Sequence, residues 1–347
     1  MKADYRQIIE ASDTDRRDLF LTTATRLGTA VQHIEKDFWV CWALDVLFNG
    51  VSQPPRILFK GGTSLSKAFS LITRFSEDID ITVFREDLGQ PVQVAELAAL
   101  SGKKRRVRLE EVRQAAQAHI AGPMREQFEA LVLDQMPAGR YRIELDPADR
   151  DNQTILFWYP AVTADVNAYI RSAVKIEAGA KSALDPHVTA SITPYVANEL
   201  AHLDLAVPNV TTVAPERTFW DKVIIAHGLR QWHGHRGEIR HGGQRVTRHY
   251  YDLHSMLELA KRSGWHLRDD LANDCATHAD MFFGSPDLGL DQARRGSFML
   301  APTENMREAL EKDYQAMSGM IFGEVPAFSK VITAVEELER LVNSESQ

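Results

Sequence analysis

The spacing of apolar residues divides this chain into an α/β half, which has both helical and strand patterns, and a half with helical patterns alone. In the first half, residues 16–48 and 93–133 repeat apolar positions near the 3.6-residue period of a buried helix. Strands are predicted where apolar residues run together or alternate, at 57–59, 78–83, 141–145, 154–159 and 173–176. A glycine pair and a helical stretch at 63–72 separate the first two of these strands. This half is therefore predicted to be an α/β (α+β) domain with a mixed sheet.

The second half lacks strand patterns beyond Pro215. Helical periodicity is present in five segments, 217–229, 248–261, 267–283, 304–320 and 330–341. The length of 347 residues also suits two domains. We predict an N-terminal domain over residues 1–205 and a mainly helical C-terminal domain over residues 206–347.

Composition narrows the class of protein. Hydrophobic residues make up 44% of the chain, but no apolar stretch approaches the roughly 20 residues that a membrane span needs. The N-terminus also lacks the apolar stretch of a secretory signal, so a cytoplasmic protein is expected. Cys41 and Cys275 are predicted to be buried thiols. The formal charge of −8 argues against broad electrostatic attachment to nucleic acid, although a local basic patch is compatible with it.

Asp78 and Asp80 stand two residues apart in the alternating segment. Both side chains therefore project from one face of a strand, while Ile79 and Ile81 face the core. Two carboxylates about 4 Å apart repel by about 4 kcal/mol at an effective dielectric near 20, and a shared cation relieves that repulsion. Mg²⁺ (or Mn²⁺) is the fitting ion, because it takes oxygen ligands and bridges carboxylates to substrate phosphates.

Gly61 and Gly62 stand between a strand and a helix, where a backbone without side chains can approach a phosphate closely. Thr63 and Ser64 add hydroxyl groups, and Lys67 follows as a further candidate for nucleotide binding. A glycine turn alone or a pair of aspartates alone is weak evidence. In this order, and with a helix between them, they predict a site for a nucleoside triphosphate.

Residues 59–67 (FKGGTSLSK) and 74–81 (RFSEDIDI) resemble the AbiEii/AbiGii nucleotidyltransferase toxin family, which belongs to the DNA polymerase beta type. Residues 34–38 (IEKDF) and 248–253 (RHYYDL) are similar to the flanking segments of that family, so the resemblance covers most of the chain.

The resemblance implies a magnesium-dependent transfer of a nucleoside monophosphate from a nucleoside triphosphate to an acceptor hydroxyl. It also implies a toxin–antitoxin or abortive-infection role with a possible cognate antitoxin. Relatives called MenT suggest the 3′ end of tRNA as the acceptor. The rival readings are a protein or small-molecule acceptor, and a nucleotide-binding module without activity. The gap from Gly62 to Asp78 is longer than is usual in polymerase-beta-type enzymes, which leaves the choice of Thr63 or Ser64 as phosphate ligand open.

A third carboxylate from a later strand often completes such a site, as a metal ligand or as a base. Glu177 is the candidate, because Lys175 and Glu177 would share the face opposite to Val174. The alternative for Glu177 is a charged strand end. Glu144 alternates in the same way and competes for the role.

Two residues of the helical half are candidates for the same site. Lys222 lies in a helix that is apolar on nearly every side, so its ammonium needs either a buried partner or a triphosphate across a cleft. Asp252 could cap its helix. The resemblance implies that Lys222 belongs to the active site, and that Asp252 pairs with it or orients the acceptor.

Basic residues gather around the Gly/His/Arg-rich stretch 233–249, where they could contact the triphosphate or an RNA acceptor, or serve neither purpose. They are Arg230, Arg236, Arg240, Arg245 and Arg248, of which Arg248 is the candidate for nucleotide binding. His233, His235 and His241 match no common zinc spacing, so no structural metal is expected there.

Overall fold

A computed structural model describes residues 3–163, 172–240, 245–263 and 268–344 of the chain. It has two compact units. Unit 1 comprises Met1–Phe69, Phe75–Val92 and Ser101–Val213, and unit 2 comprises Ser70–Arg74, Gln93–Leu100 and Ala214–Gln347. Two short segments of unit 2 thus interrupt the sequence of unit 1. The domain division predicted at residue 205 stays a prediction.

Unit 1 contains a mixed sheet, which in the described part of the chain has seven strands. They are β1 (Ile57–Lys60), β2 (Asp78–Val83), β3 (Arg142–Leu145), β4 (Thr154–Trp158), β5 (Ala173–Glu177), β6 (His187–Ile192) and β7 (Val207–Val213). Their order across the sheet is β3-β4-β5-β2-β1-β7-β6. β2 runs parallel to β5 on one side and antiparallel to β1 on the other, so both of its edges are hydrogen-bonded. The predicted mixed α/β fold is confirmed.

Some of the helices belong to unit 1 with the sheet, and the others form unit 2. The first seven are α1 (Ala3–Glu10), α2 (Asp13–Leu27), α3 (Val31–Asp45), α4 (Gly61–Lys67), α5 (Val94–Ala98), α6 (Gly102–His119) and α7 (Arg125–Gln135). Five further helices follow, α8 (Pro215–Arg236), α9 (Thr247–Ser263), α10 (Asp269–Phe283), α11 (Glu304–Met317) and α12 (Phe328–Asn343). Both cysteines are buried and free, as predicted. None of the helices in the described ranges is long and apolar enough to cross a bilayer.

Some predicted elements were wrong. β6 and β7 were missed, because β6 exposes most of its side chains and β7 contains Pro208 and a positive-φ Asn209, which obscure strand alternation. The helix predicted at 63–72 begins earlier, at Gly61, and ends at Lys67. Ser70 has a φ of 54°, which an α-helix does not accommodate. The glycine pair is therefore the first turn of a helix.

α3 is buried along most of its length and carries charges into the core. Glu35 accepts two backbone hydrogen bonds from the loop after β4. The Lys36 ammonium lies 2.8 Å from a Glu77 carboxylate oxygen, and Asp37 lies 2.7 Å from the Lys67 ammonium. Because each of these side chains is nearly inaccessible to solvent, the three residues fix α3 to three different parts of unit 1.

Asp37→Ala is expected to lower the free energy of unfolding by about 3–5 kcal/mol, because it leaves the Lys67 ammonium buried without its carboxylate. Urea denaturation measures the loss. Lys312→Met is the control, since it removes an exposed ion pair with Glu308 and should leave the midpoint unchanged. Equal midpoints for the two variants would contradict a structural role for the Asp37–Lys67 pair.

Candidate active site

The two aspartates lie on the central strand β2 with the predicted alternation. Asp78 and Asp80 are half-buried, whereas Ile79 and Ile81 are buried in the core. Since β2 is bonded along both edges, the backbone that carries the two carboxylates has a fixed register. The carboxylates therefore share one face of the sheet.

The neighbouring strand β5 adds charge to the same face. Asp80 pairs in register with Glu177, and Asp78 pairs with Lys175. Directly opposed residues of adjacent strands project to the same side, so these four side chains form one group. Lys175 and Glu177 also form an ion pair with each other.

Glu144 is farther away along the sheet. It lies on β3, in register with Leu156 of β4, which pairs in turn with Lys175 of β5. Three strand spacings thus separate its backbone from that of Asp78, about 14 Å at roughly 4.8 Å each. Its carboxylate accepts a 2.8 Å hydrogen bond from the Trp158 indole nitrogen. The register thus brings Glu177, and not Glu144, next to the paired aspartates.

The electrostatic environment of Asp78 favours a bound cation. The pKa of Asp78 is raised to about 6, chiefly by burial and further by the negative charges of Glu77, Glu177 and Asp80, while Lys36 opposes the rise. A divalent ion would relieve this repulsion.

The donors present fit Mg²⁺ better than a metal held by protein alone. Within the described ranges, no group of three histidine, cysteine, aspartate or glutamate side chains forms a ready metal cage. Asp78 and Asp80 instead offer two carboxylates. Mg²⁺ is usually held by one or two carboxylates together with water and substrate phosphates.

Gly61 brings the backbone of the first turn of α4 directly against Asp80. Its φ is +82°, and a Cβ at this position would lie 2.2 Å from Asp80 Oδ2. Both the left-handed conformation and the contact exclude a side chain. The glycine is therefore required for the shape of the site.

The hydroxyl groups after the glycine pair make contacts within the protein. Thr63 Oγ1 lies 2.5 Å from the Asp78 carbonyl oxygen, and Ser64 Oγ donates to the Gly61 carbonyl at 2.9 Å. Both side chains are fully buried. A phosphate oxygen would need the single proton that each hydroxyl already donates, so these contacts position β2 and the glycine turn.

Lys67 is enclosed in unit 1. Besides Asp37, its ammonium lies 3.7 Å from the centre of the Tyr195 ring. Burial by itself would lower the pKa of Lys67, but the charge of Asp37 holds it above its ordinary value. The ammonium is therefore charged and engaged within the protein, and the nucleotide-binding role of Lys67, like those of Thr63 and Ser64, stays a prediction.

Unit 2 contains a second charged cluster. The Asp252 carboxylate receives two hydrogen bonds from Arg74, at 2.7 and 2.8 Å, and lies 2.7 Å from the Lys222 ammonium. Burial would raise the pKa of Asp252, but the two cations lower it. Asp252 is fully buried, and both of its oxygens are engaged. The predicted pairing of Lys222 with Asp252 is present.

This second cluster carries excess positive charge. Burial lowers the pKa of Lys222, Asp252 opposes that change, and Arg74 and Arg248 add to it. Burial and the charges of Lys222, Arg248 and Arg74 also lower the pKa of His249, which is therefore neutral at pH 7. Among the described residues, none accepts a hydrogen bond from the buried Nε of Arg248. Three cations around one carboxylate suit an anionic ligand.

The other basic residues of the stretch have different contacts. The Arg236 and Arg240 guanidinium groups lie 5.6 and 5.4 Å from the centre of the Trp232 ring, and Arg236 also pairs with Asp287. The backbone N–H of Arg245 donates to an aspartate of α11. His241 lies outside the described residues.

The profile of the AbiEii family, described as the nucleotidyl transferase AbiEii toxin of type IV toxin–antitoxin systems, matches residues 43–340. The chain belongs to this family. It is therefore a nucleotidyltransferase, and the matched region includes both charged clusters. The type IV assignment implies a cognate antitoxin.

A solved structure supports the fold of this AbiEii nucleotidyltransferase. The nucleotidyltransferase toxin MenT4 from Mycobacterium tuberculosis H37Rv superposes with a TM-score of 0.55. The match covers 95% of this chain and 90% of MenT4 at 15% sequence identity, which shows a shared fold. A comparison with curated protein sequences found no similar protein.

Sequence reasoning did not assign a role to Arg74 or to His249. Arg74 lies in the RFSEDIDI motif and His249 in RHYYDL, so both positions were within segments that resemble the family. Spacing alone gave no indication of the Arg74 contact, because its partner Asp252 is 178 residues away.

Gly61→Ala is expected to reduce nucleotidyl transfer by about 10²-fold, because the new Cβ displaces the Asp80 carboxylate. Gly89→Ala is the matched control. Gly89 also has a positive φ, but a Cβ there meets no atom within 4 Å. Each substitution should lower the free energy of unfolding by about 1–2 kcal/mol through backbone strain, as urea denaturation will measure. Similar activity in the two variants would refute the steric argument.

Proposed function

We propose that this AbiEii nucleotidyltransferase uses Mg²⁺ (or Mn²⁺) at Asp78 and Asp80 to transfer a nucleoside monophosphate to the 3′ end of tRNA. The observation that carries the proposal is the arrangement on the sheet, where both aspartates share a face with Glu177 and the Gly61 backbone closes against Asp80. The tRNA acceptor is supported by the resemblance to MenT relatives alone.

In the proposed reaction, an acceptor hydroxyl oxygen forms a bond to the α-phosphorus of the nucleoside triphosphate. The bond from that phosphorus to the bridging oxygen breaks, and its electron pair leaves with pyrophosphate. Asp78 and Asp80 hold the metal, which when bound neutralises charge on the phosphates. The Glu177 carboxylate first separates from Lys175, its ion-pair partner, and then accepts the proton of the acceptor hydroxyl. The backbone at Gly61 and Gly62 leaves room for the phosphate chain.

We assign the residues of unit 2 different roles. Lys222 and Arg248 provide positive charge for a phosphate group, since the cluster of unit 2 that contains them has more cations than carboxylates. Asp252 is not assigned as a base, because it is buried and both oxygens are occupied by Arg74 and Lys222. It holds Lys222 in place.

Asp78→Asn and Asp80→Asn are each expected to reduce nucleotidyl transfer by about 10³-fold, because the loss of a carboxylate weakens the metal site. The measurement is incorporation of label from each α-labelled nucleoside triphosphate into total RNA, followed by sequencing of tRNA 3′ ends. Asp87→Asn is the control, since Asp87 pairs with the exposed Arg56 and should be dispensable.

The same assay separates the acceptors. Label at tRNA 3′ ends supports the proposal, whereas label in protein or in a small molecule supports the rival acceptors. Full activity of Asp80→Asn would reject the metal site itself.

Glu177→Gln is expected to reduce transfer by about 10²-fold, because the amide cannot take the proton of the acceptor hydroxyl. Glu144→Gln should retain activity, since its backbone lies three strands from that of Asp78. Steady-state rates of both variants, taken with the same acceptor, test the assignment. The opposite result would transfer the role to Glu144.

A further inference from the structure

The segment Ser70–Arg74 connects α4 to β2 but belongs to unit 2. The Thr73 hydroxyl lies 2.9 Å from the Tyr251 hydroxyl of α9. Arg74 forms an antiparallel bridge with Ile321, which follows α11. This short piece of chain is thus fixed by backbone and side-chain contacts, and the metal-binding strand begins only four residues after it.

Arg74 is the main side-chain partner of Asp252. Its Nε and Nη2 donate to different carboxylate oxygens at 2.7 and 2.8 Å, which is the two-pronged geometry that only arginine provides. The side chain is 5% exposed, and that of Asp252 is inaccessible. Lys222 therefore shares Asp252 Oδ2 with Arg74 instead of having the carboxylate to itself.

This sharing determines the charge of the cluster. Arg74, Lys222 and Asp252 together carry a net charge of +1, whereas Lys222 and Asp252 alone would form a neutral pair. A neutral pair attracts a triphosphate less strongly than a cation does. Arg74 thus leaves the Lys222 ammonium with positive charge that is not cancelled.

We propose that Arg74 is a positioning residue for nucleotidyl transfer, which neutralises and orients Asp252 so that the cluster of Arg74, Lys222 and Asp252 keeps a net positive charge for the triphosphate. The inference rests on the proposed function, in which Lys222 binds the phosphates of the substrate. Arg74 itself need not touch the substrate.

The pH dependence of the reaction separates this role from a purely structural one. Burial lowers the pKa of Lys222, and Arg74 and Arg248 lower it further while Asp252 opposes them. His249 also faces this group and is neutral. Activity that depends on the ammonium is lost as pH rises through the pKa of Lys222. Removal of Arg74 raises that pKa. The alkaline limb of the pH–activity profile, where activity falls as pH rises, must therefore move to higher pH.

The test compares Arg74→Met, Arg74→Lys and Thr73→Val in transfer assays at neutral and alkaline pH. Arg74→Met is expected to raise KM for the triphosphate about ten-fold or more and to move the alkaline limb of the pH–activity profile to higher pH. Arg74→Lys keeps the charge, so its limb should stay near that of the wild type. Thr73→Val is the matched control, since it removes the bond to Tyr251 without a change of charge.

Circular dichroism and thermal melting establish that each variant is folded. A folded Arg74→Met with the limb of the wild type would overturn the proposal, as would equal KM increases in Arg74→Met and Thr73→Val. A wild type that transfers no nucleotide would refute the proposed function instead. Calorimetric titration with ATP then still tests Arg74, because Arg74→Met should weaken ATP binding and Thr73→Val should not. Equal ATP affinities in the two variants would overturn the proposal.

Discussion

Two like charges must be held next to each other on a buried strand, and the rest of unit 1 is organised around that constraint. Asp78 and Asp80 repel one another, so their positions depend on the backbone beneath them. Strand pairing on both edges fixes that backbone, and Thr63 adds a bond to the Asp78 carbonyl. Gly61 then approaches Asp80 more closely than any other residue type could. The positions of the two carboxylates are therefore set by contacts of the backbone that carries them.

Buried ion pairs provide a second set of supports. Removing such a pair from water costs about as much as the charges regain, so these pairs contribute orientation more than stability. Lys36 forms an ion pair with Glu77, the residue directly before Asp78. Lys67, the last residue of α4, forms an ion pair with Asp37 of α3. Within unit 1, residues 36 and 37 thus contact Glu77 and Lys67, which lie in the other two segments that resemble the family.

The sequence predicted the features that depend on local periodicity and missed those that depend on tertiary contacts. Strict alternation placed Asp78 and Asp80 on one face correctly, because that relation needs only an extended backbone. The β6 and β7 strands were missed, since exposure and an irregular turn conceal their period. The hydroxyl of Thr63 and its place after the glycine pair suggested a phosphate ligand. The direction of that hydroxyl, however, depends on where β2 packs. No local pattern could reveal that Arg74 meets Asp252.

A family resemblance transfers the identity of a residue more reliably than its role. Asp252 matches a segment that resembles the family, and an aspartate beside a lysine could serve as base, metal ligand or orienting group. Burial and bonding decide among these possibilities. A base needs a free lone pair directed at the acceptor, and a metal ligand needs an oxygen that is not already neutralised. Asp252 satisfies neither condition, because two cations occupy its oxygens and lower its pKa. Glu177 satisfies the first condition better, since one partly exposed lysine is its ion-pair partner and its strand adjoins Asp80.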